Sequence, residues 1–166
     1  MLKTRDFYLL KVYDIKGKYL GVIDDIAINF YKGEVVGFFI SSFSLFSKKN
    51  YIDKEEIISI NEVVIVNSIT SYNGLSFKSI KDMDIIDNSN TMRGVLEDLI
   101  IEKEDLSIKG IIMSSGIFDK MVKGKEILLL KECVLGEDFI LYSGNSLIRL
   151  QSLPHNIGEY DKLKQA

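Results

Sequence analysis

The chain states one pattern twice. Gly21-Val22-Ile23-Asp24-Asp25-Ile26-Ala27-Ile28 returns as Gly94-Val95-Leu96-Glu97-Asp98-Leu99-Ile100-Ile101, and Gly37-Phe38-Phe39-Ile40-Ser41-Ser42 returns as Gly110-Ile111-Ile112-Met113-Ser114-Ser115. Both blocks are displaced by 73 residues with no gap between them, and seven of the 22 positions from Gly21 to Ser42 are identical in the two copies. A repeat of this length constrains the fold more than any other feature, because each copy must be one supersecondary unit or a small domain. Two units of one design therefore account for the 166 residues. Units this small hold cores of only ~3–5 kcal/mol, so they gain from packing on each other or on a partner.

Within each copy the apolar residues alternate. Gly21–Phe30 reads as a strand with Val22, Ile26, Ile28 and Phe30 on one face and Ile23, Asp25, Ala27 and Asn29 on the other. Tyr31-Lys32-Gly33 is a turn signal, and Glu34–Ser42 a second strand, so the pair reads as an antiparallel hairpin. Val95–Glu102 and Leu106–Ser114 form the matching hairpin around Lys103-Glu104-Asp105. Gly17 and Asn90 take equivalent places before the hairpins. Both residue types accept a left-handed backbone cheaply, so one turn serves both copies. Farther on, the strands Glu56–Ile60 and Val63–Val66 match Glu132–Leu135 and Phe139–Tyr142 at a displacement of 76, which places about three extra residues near Lys120–Glu126. Many short strands, one proline and no amphipathic helix beyond two turns make the chain all-β, and small sheets hide their edges most readily by closing into barrels.

These residues resemble the PRC-barrel domain. The family's pattern of a turn, G-x-V/L-x-D/E-hydrophobic-x-hydrophobic, a turn and a hydrophobic strand with an internal glycine falls on Gly21, Val22, Asp24, Asp25, Ile26, Ile28 and Gly37. It falls again on Gly94, Val95, Glu97, Asp98, Leu99, Ile101 and Gly110. The family is named for the cytoplasmic domain of the photosynthetic reaction-centre H subunit, and a similar domain ends a ribosome-maturation factor. The resemblance implies two small PRC-like β-barrels in tandem, packed against each other: unit 1 over residues 1–73, unit 2 over 74–153, and a C-terminal tail over 154–166. It also implies a role in binding other macromolecules, since the family shares no active site.

Candidate sites are few. Asp24/Asp25 and Glu97/Asp98 are adjacent on a strand and point to opposite faces, so neither pair chelates one ion; one member meets solvent and the other takes backbone or lysine contacts. His155, the single histidine, follows Pro154 without a positioned partner. Cys133 sits in a Val/Leu strand and reads as a small core residue. No phosphate-binding glycine motif occurs. No catalytic, metal-ligating or cofactor-binding residues are assigned, no cofactor is expected, and the chain reads as a non-enzyme. The segment Phe38–Phe46 is the exception. Its aromatic residues run past the strand, where the second copy has Gly116-Ile117-Phe118-Asp119, and Phe43, Leu45 and Phe46 are the candidate partner-binding residues.

Net charge is −3, no basic block appears, and direct DNA binding is excluded on that ground. One cysteine excludes an internal disulfide and suits a reducing cytosol. No apolar stretch reaches the ~20 residues of a membrane helix, and no signal-peptide core follows the charged N-terminus. The sequence thus reads as a cytoplasmic scaffold or binding module for a protein partner or a second copy of itself. The alternatives are a small-ligand or metal carrier with its site between the units, and an accessory factor in RNA or ribosome metabolism.

Overall fold

The computed structural model describes residues 1–41, 50–114, 125–144 and 148–150. Its first seven strands are β1 (Leu2–Lys3), β2 (Lys11–Asp14), β3 (Tyr19–Asn29), β4 (Glu34–Ser41), β5 (Tyr51–Asp53), β6 (Ile57–Ile60) and β7 (Val63–Val66). A single-turn helix α1 (Phe77–Ile80) follows. Then come β8 (Asp84–Asp87), β9 (Met92–Ile101), β10 (Ile108–Ser114), β11 (Lys125–Leu129), β12 (Cys133–Leu135), β13 (Phe139–Tyr142) and β14 (Ile148–Leu150). The chain is all-β, in two sheets ordered β5-β4-β3-β2-β7-β6 and β12-β13-β8-β9-β10-β11-β14, with β1 added on β9.

The expectation of closed barrels needs correction. Among the described residues each sheet is an open path whose terminal strands, β5 and β6 or β12 and β14, do not pair with each other. The terminal strands have only three or four residues, which limits their exposed hydrogen-bonding edge. Part of the β5 edge is also covered by the antiparallel bridge of Tyr51 with Thr70.

Local chemistry explains the recurring turns. Asp14 accepts the amides of Lys16 and Lys18 at 2.8 and 2.9 Å, and Asp87 accepts those of Ser89 and Thr91 at 2.9 and 3.0 Å. Each carboxylate thus organises a turn whose third residue, Gly17 at φ +78° or Asn90 at φ +58°, has left-handed backbone. Leu9 and Asp82 (both +65°), and Gly33 (+66°) and Leu106 (+58°), are further left-handed pairs at the same displacement. The expected strand phase was off by one at the start of β3: Ile23 is fully buried and Val22 only half-buried. Register shifts between Ile23 and Asp25 and between Ala27 and Ile28 reset the alternation, which is why Asp25, Ile26, Ala27 and Ile28 are all buried.

The two sheets interlock by reciprocal contacts. Leu2 and Lys3 pair with Ile101 and Ile100 of β9, while Ser76 bridges Ala27 of β3 and the Leu75 carbonyl accepts the Ile28 amide at 3.0 Å. Each sheet is therefore extended by the segment that leads into the other. Between the hairpins, Val35 donates to the Leu106 carbonyl (3.0 Å), Ile108 donates to the Gly33 carbonyl (2.7 Å), and Glu34 bridges Ser107. Glu34 and Ser107 are themselves counterparts, so the arrangement has an approximate two-fold axis through that bridge. One apolar core crosses the junction, from Phe7, Ile23, Phe38 and Ile52 to Ile85, Leu99, Ile111 and Leu128. No helix among the described residues is long and apolar enough to cross a membrane.

Candidate functional site

The first acidic pair divides as its strand positions require, whereas in the second Glu97 is only part-exposed, with one carboxylate oxygen buried. Asp24 faces out and pairs with the Lys78 ammonium at 2.8 Å, both side chains being about half exposed. Asp25 is buried and accepts the amides of Ile26 at 2.8 Å and Lys78 at 3.2 Å. Asp98, its counterpart, accepts the amide of Thr4 at 3.0 Å, the Thr4 hydroxyl at 2.6 Å and the amide of Leu99 at 2.8 Å. These buried carboxylates clamp the exchanged segments. They hold structure together rather than face a ligand.

Cys133 is buried, and its thiol lies 3.5 Å from the Leu129 carbonyl. Desolvation, helped by the neighbouring Glu132 charge, pushes the thiol up to about 12. An ordinary nucleophilic cysteine is shifted the other way. Phe38 and Ile40 are buried and Phe39 packs at 5.6 Å from the Tyr51 ring, so the start of the aromatic run belongs to the core. Phe43, Leu45 and Phe46 lie outside the described residues, as does His155. Among the described residues no three His, Cys, Asp or Glu side chains gather as a metal ion would need.

The most site-like geometry is at the junction. The bridge of Glu34 with Ser107 brings the turn of the first hairpin beside the 3-10 turn Leu130–Glu132 of the second sheet. Between them runs a groove of about 710 Å³ lined by Tyr31, Lys32, Ile108, Lys109, Leu130 and Lys131, with Phe30 and Cys133 at its floor. Tyr31 spans it, donating its phenol to the Leu135 carbonyl at 2.8 Å. The rim carries three exposed lysines, and among the described residues no carboxylate lines it. Gly33 suits this left-handed position, and a methyl on it would press to 3.1 Å from Leu130 Cδ2.

The two-fold counterpart is a smaller groove of about 290 Å³, where the turn Lys103–Asp105 meets Lys54, Ile57 and Ser59. Its charges are mixed. Asp105 accepts from the Ser107 hydroxyl and amide at 2.6 and 2.9 Å; those bonds, with attraction from Lys109, hold its carboxyl below the usual range. Glu34 stands between Lys54 and Lys32 at 3.8 and 4.0 Å. Only the larger groove therefore presents one sign of charge. Its lysines are scattered in sequence and escape any search for a basic block. They do appear when the halves are aligned, since Lys32, Lys109 and Lys131 stand opposite Asp105, Val36 and Glu55.

Residues 1–72 match the family model of the PRC-barrel domain. No curated protein matches the chain.

Proposed function

We propose that this chain, whose residues 1–72 form one PRC-barrel domain, is a non-enzymatic binding module that holds an acidic segment of a protein partner in the junction groove. The observation that carries the reading is the lysine rim over an apolar floor, since charged rims steer and register partners while buried apolar floors supply affinity. In this reading residues 74–153 are a second unit of the same design. The like-for-like displacement of β2–β4 with β8–β10, and of β5–β7 with β11–β13, supports it. The module works in the cytosol, a setting that suits its single, buried thiol.

A small-ligand carrier asks for an enclosed pocket, whereas Tyr31, Lys32, Lys109 and Lys131 are all exposed at the groove. That exposure favours a polymer segment over an enclosed molecule. The test is affinity capture from the native host with the full chain and with the triple variant Lys32→Glu, Lys109→Glu, Lys131→Glu. A stoichiometric protein held by the first and released by the second supports the reading, as does loss of that protein at high salt. Capture of no macromolecule, or equal capture by both chains, overturns it. Co-sedimentation with ribosomal particles that survives the triple variant would move the assignment to ribosome metabolism.

A further inference from the structure

The two halves differ most sharply beside the bulge of the second hairpin strand. In the first half Tyr51 lies over Gly37, where an added methyl would collide with the Tyr51 ring and the Ile52 carbonyl. The Tyr51 phenol donates to the Val36 carbonyl at 2.7 Å. Tyr72 then stacks on Tyr51, with centroids 4.5 Å apart and planes within 16°, and rests against Gly74. Two phenol rings thus fill this corner of the first sheet.

The counterparts of Gly37, Val36 and Tyr51 are Gly110, Lys109 and Ile127. The bulge is kept: like Val36 between Val35 and Gly37, Lys109 has no Cα partner between Ile108 and Gly110 on β9. The tyrosine is not kept. Ile127 takes its place, with Cγ2 3.2 Å from where a methyl on Gly110 would lie, and beside it opens a groove of about 370 Å³ lined by Leu2, Ile100, Lys109, Gly110, Ile127 and Leu129, with almost wholly apolar walls. An apolar space of about 150 Å³ is enough to take a benzene ring. Lys3 and Lys109 border the groove, whereas their first-half counterparts, Ser76 and Val36, are uncharged.

We propose that this groove beside Gly110 and Ile127 receives the side chain of a tyrosine flanked by acidic residues, on an extended segment of a protein partner. The first half supplies the template: a ring packed at the glycine bulge, with its phenol donating to the bulge carbonyl, here that of Lys109, while Ile127 keeps the space over Gly110. The bordering lysines select the acidic flanks. The site extends the binding reading above to a second contact across Lys109 from the junction groove. Its probe is a defined peptide, so its failure is separable from failure of capture.

The full chain, with labelled isoleucine and leucine methyl groups, is titrated with the peptide acetyl-Glu-Tyr-Glu-amide and followed by NMR. The expected result is saturable upfield ring-current shifts at Ile100, Ile127 and Leu129. Replacing the tyrosine of the probe by phenylalanine should weaken binding about two- to tenfold, the worth of one hydrogen bond. Lysine flanks should weaken it further. Ile127→Tyr should rebuild the Tyr51 arrangement, fill the groove and abolish the shifts. Absence of saturable shifts, equal shifts at the exposed Ile15 and Ile58, or undiminished binding by a folded Ile127→Tyr chain would each overturn the proposal. If that variant does not fold, the methyl map of the unaltered chain decides alone.

Discussion

Replacing Asp98 with alanine tests the interlock directly. Asp98 Oδ1 accepts three hydrogen bonds, from the Thr4 amide, the Thr4 hydroxyl and the Leu99 amide, at 3.0, 2.6 and 2.8 Å. Thr4 and Asp98 are 2% and 9% exposed, so donors stranded there do not simply turn to water. Each buried donor left without an acceptor costs ~1–3 kcal/mol. The hydroxyl can rotate, and the short β1 segment can peel away and rehydrate, which caps the total. Asp98→Ala should therefore lose ~3–4 kcal/mol of unfolding free energy, taking two stranded amides near the middle of that range. Asp25→Ala should lose less, about 2 kcal/mol, because its bonds to the Lys78 amide are longer, at 3.2 and 3.3 Å.

Urea unfolding with an unchanged m-value measures both losses. Hydrogen exchange should show protection falling at Thr4 and Leu99 in the first variant and at Ile26 and Lys78 in the second. A double-mutant cycle of Asp98→Ala with Thr4→Val isolates the hydroxyl bond and should give coupling of about 1 kcal/mol. An Asp98→Ala loss under about 1 kcal/mol, or a larger loss for Asp25→Ala, would refute the clamp argument.

Three further outcomes follow from the same geometry. Leu9 is exposed with φ +65°, where a side chain costs ~1–2 kcal/mol and glycine costs nothing, so Leu9→Gly should raise the urea midpoint even after glycine's own entropy is charged against it. Tyr51→Phe keeps the ring stack but strands the Val36 carbonyl, and should cost about 1 kcal/mol in the same assay. Burial pushes the Cys133 thiol to about 12 from 9.0 and the Tyr8 phenol to about 12 from 10.0. Both groups are neutral when protonated, so the fold binds their protons more tightly than the unfolded chain does. Their contribution is complete below the unfolded values and is lost as pH rises through the folded ones, so stability should fall between about pH 9 and 12. Cys133→Ala should flatten the onset near pH 9; an unchanged onset contradicts the burial argument.

What could be read in the sequence is what depends on neighbours along the chain. The hairpins, the shared turn at Gly17 and Asn90, and the split role of Asp24 and Asp25 follow from strand alternation and turn chemistry within a few residues. The pairing of Leu2 with Ile101 and of Ser76 with Ala27 leaves no local trace, because either segment is too short to show a period. The open sheets leave no local trace for a related reason. An edge three residues long needs little cover, and what covers part of β5 comes from Thr70, outside any strand. The bulge at Asp24 shifted the expected inward face because a single extra residue reverses a period of two. The junction lysines come from three separate segments, so only the fold makes them neighbours.

The bridge of Glu34 with Ser107 has a consequence for how such a molecule can diverge. On a true two-fold axis, as between identical subunits, a residue at that position meets its own copy, and Glu34 would face another glutamate. Two carboxylates directly opposite repel. A single chain that contains both halves escapes this self-complementarity, because the facing position can mutate on its own. Serine opposite glutamate is a combination that no pair of identical subunits can reach, and it leaves Glu34 able to engage Lys32 and Lys54 while the two grooves on either side take on different charges.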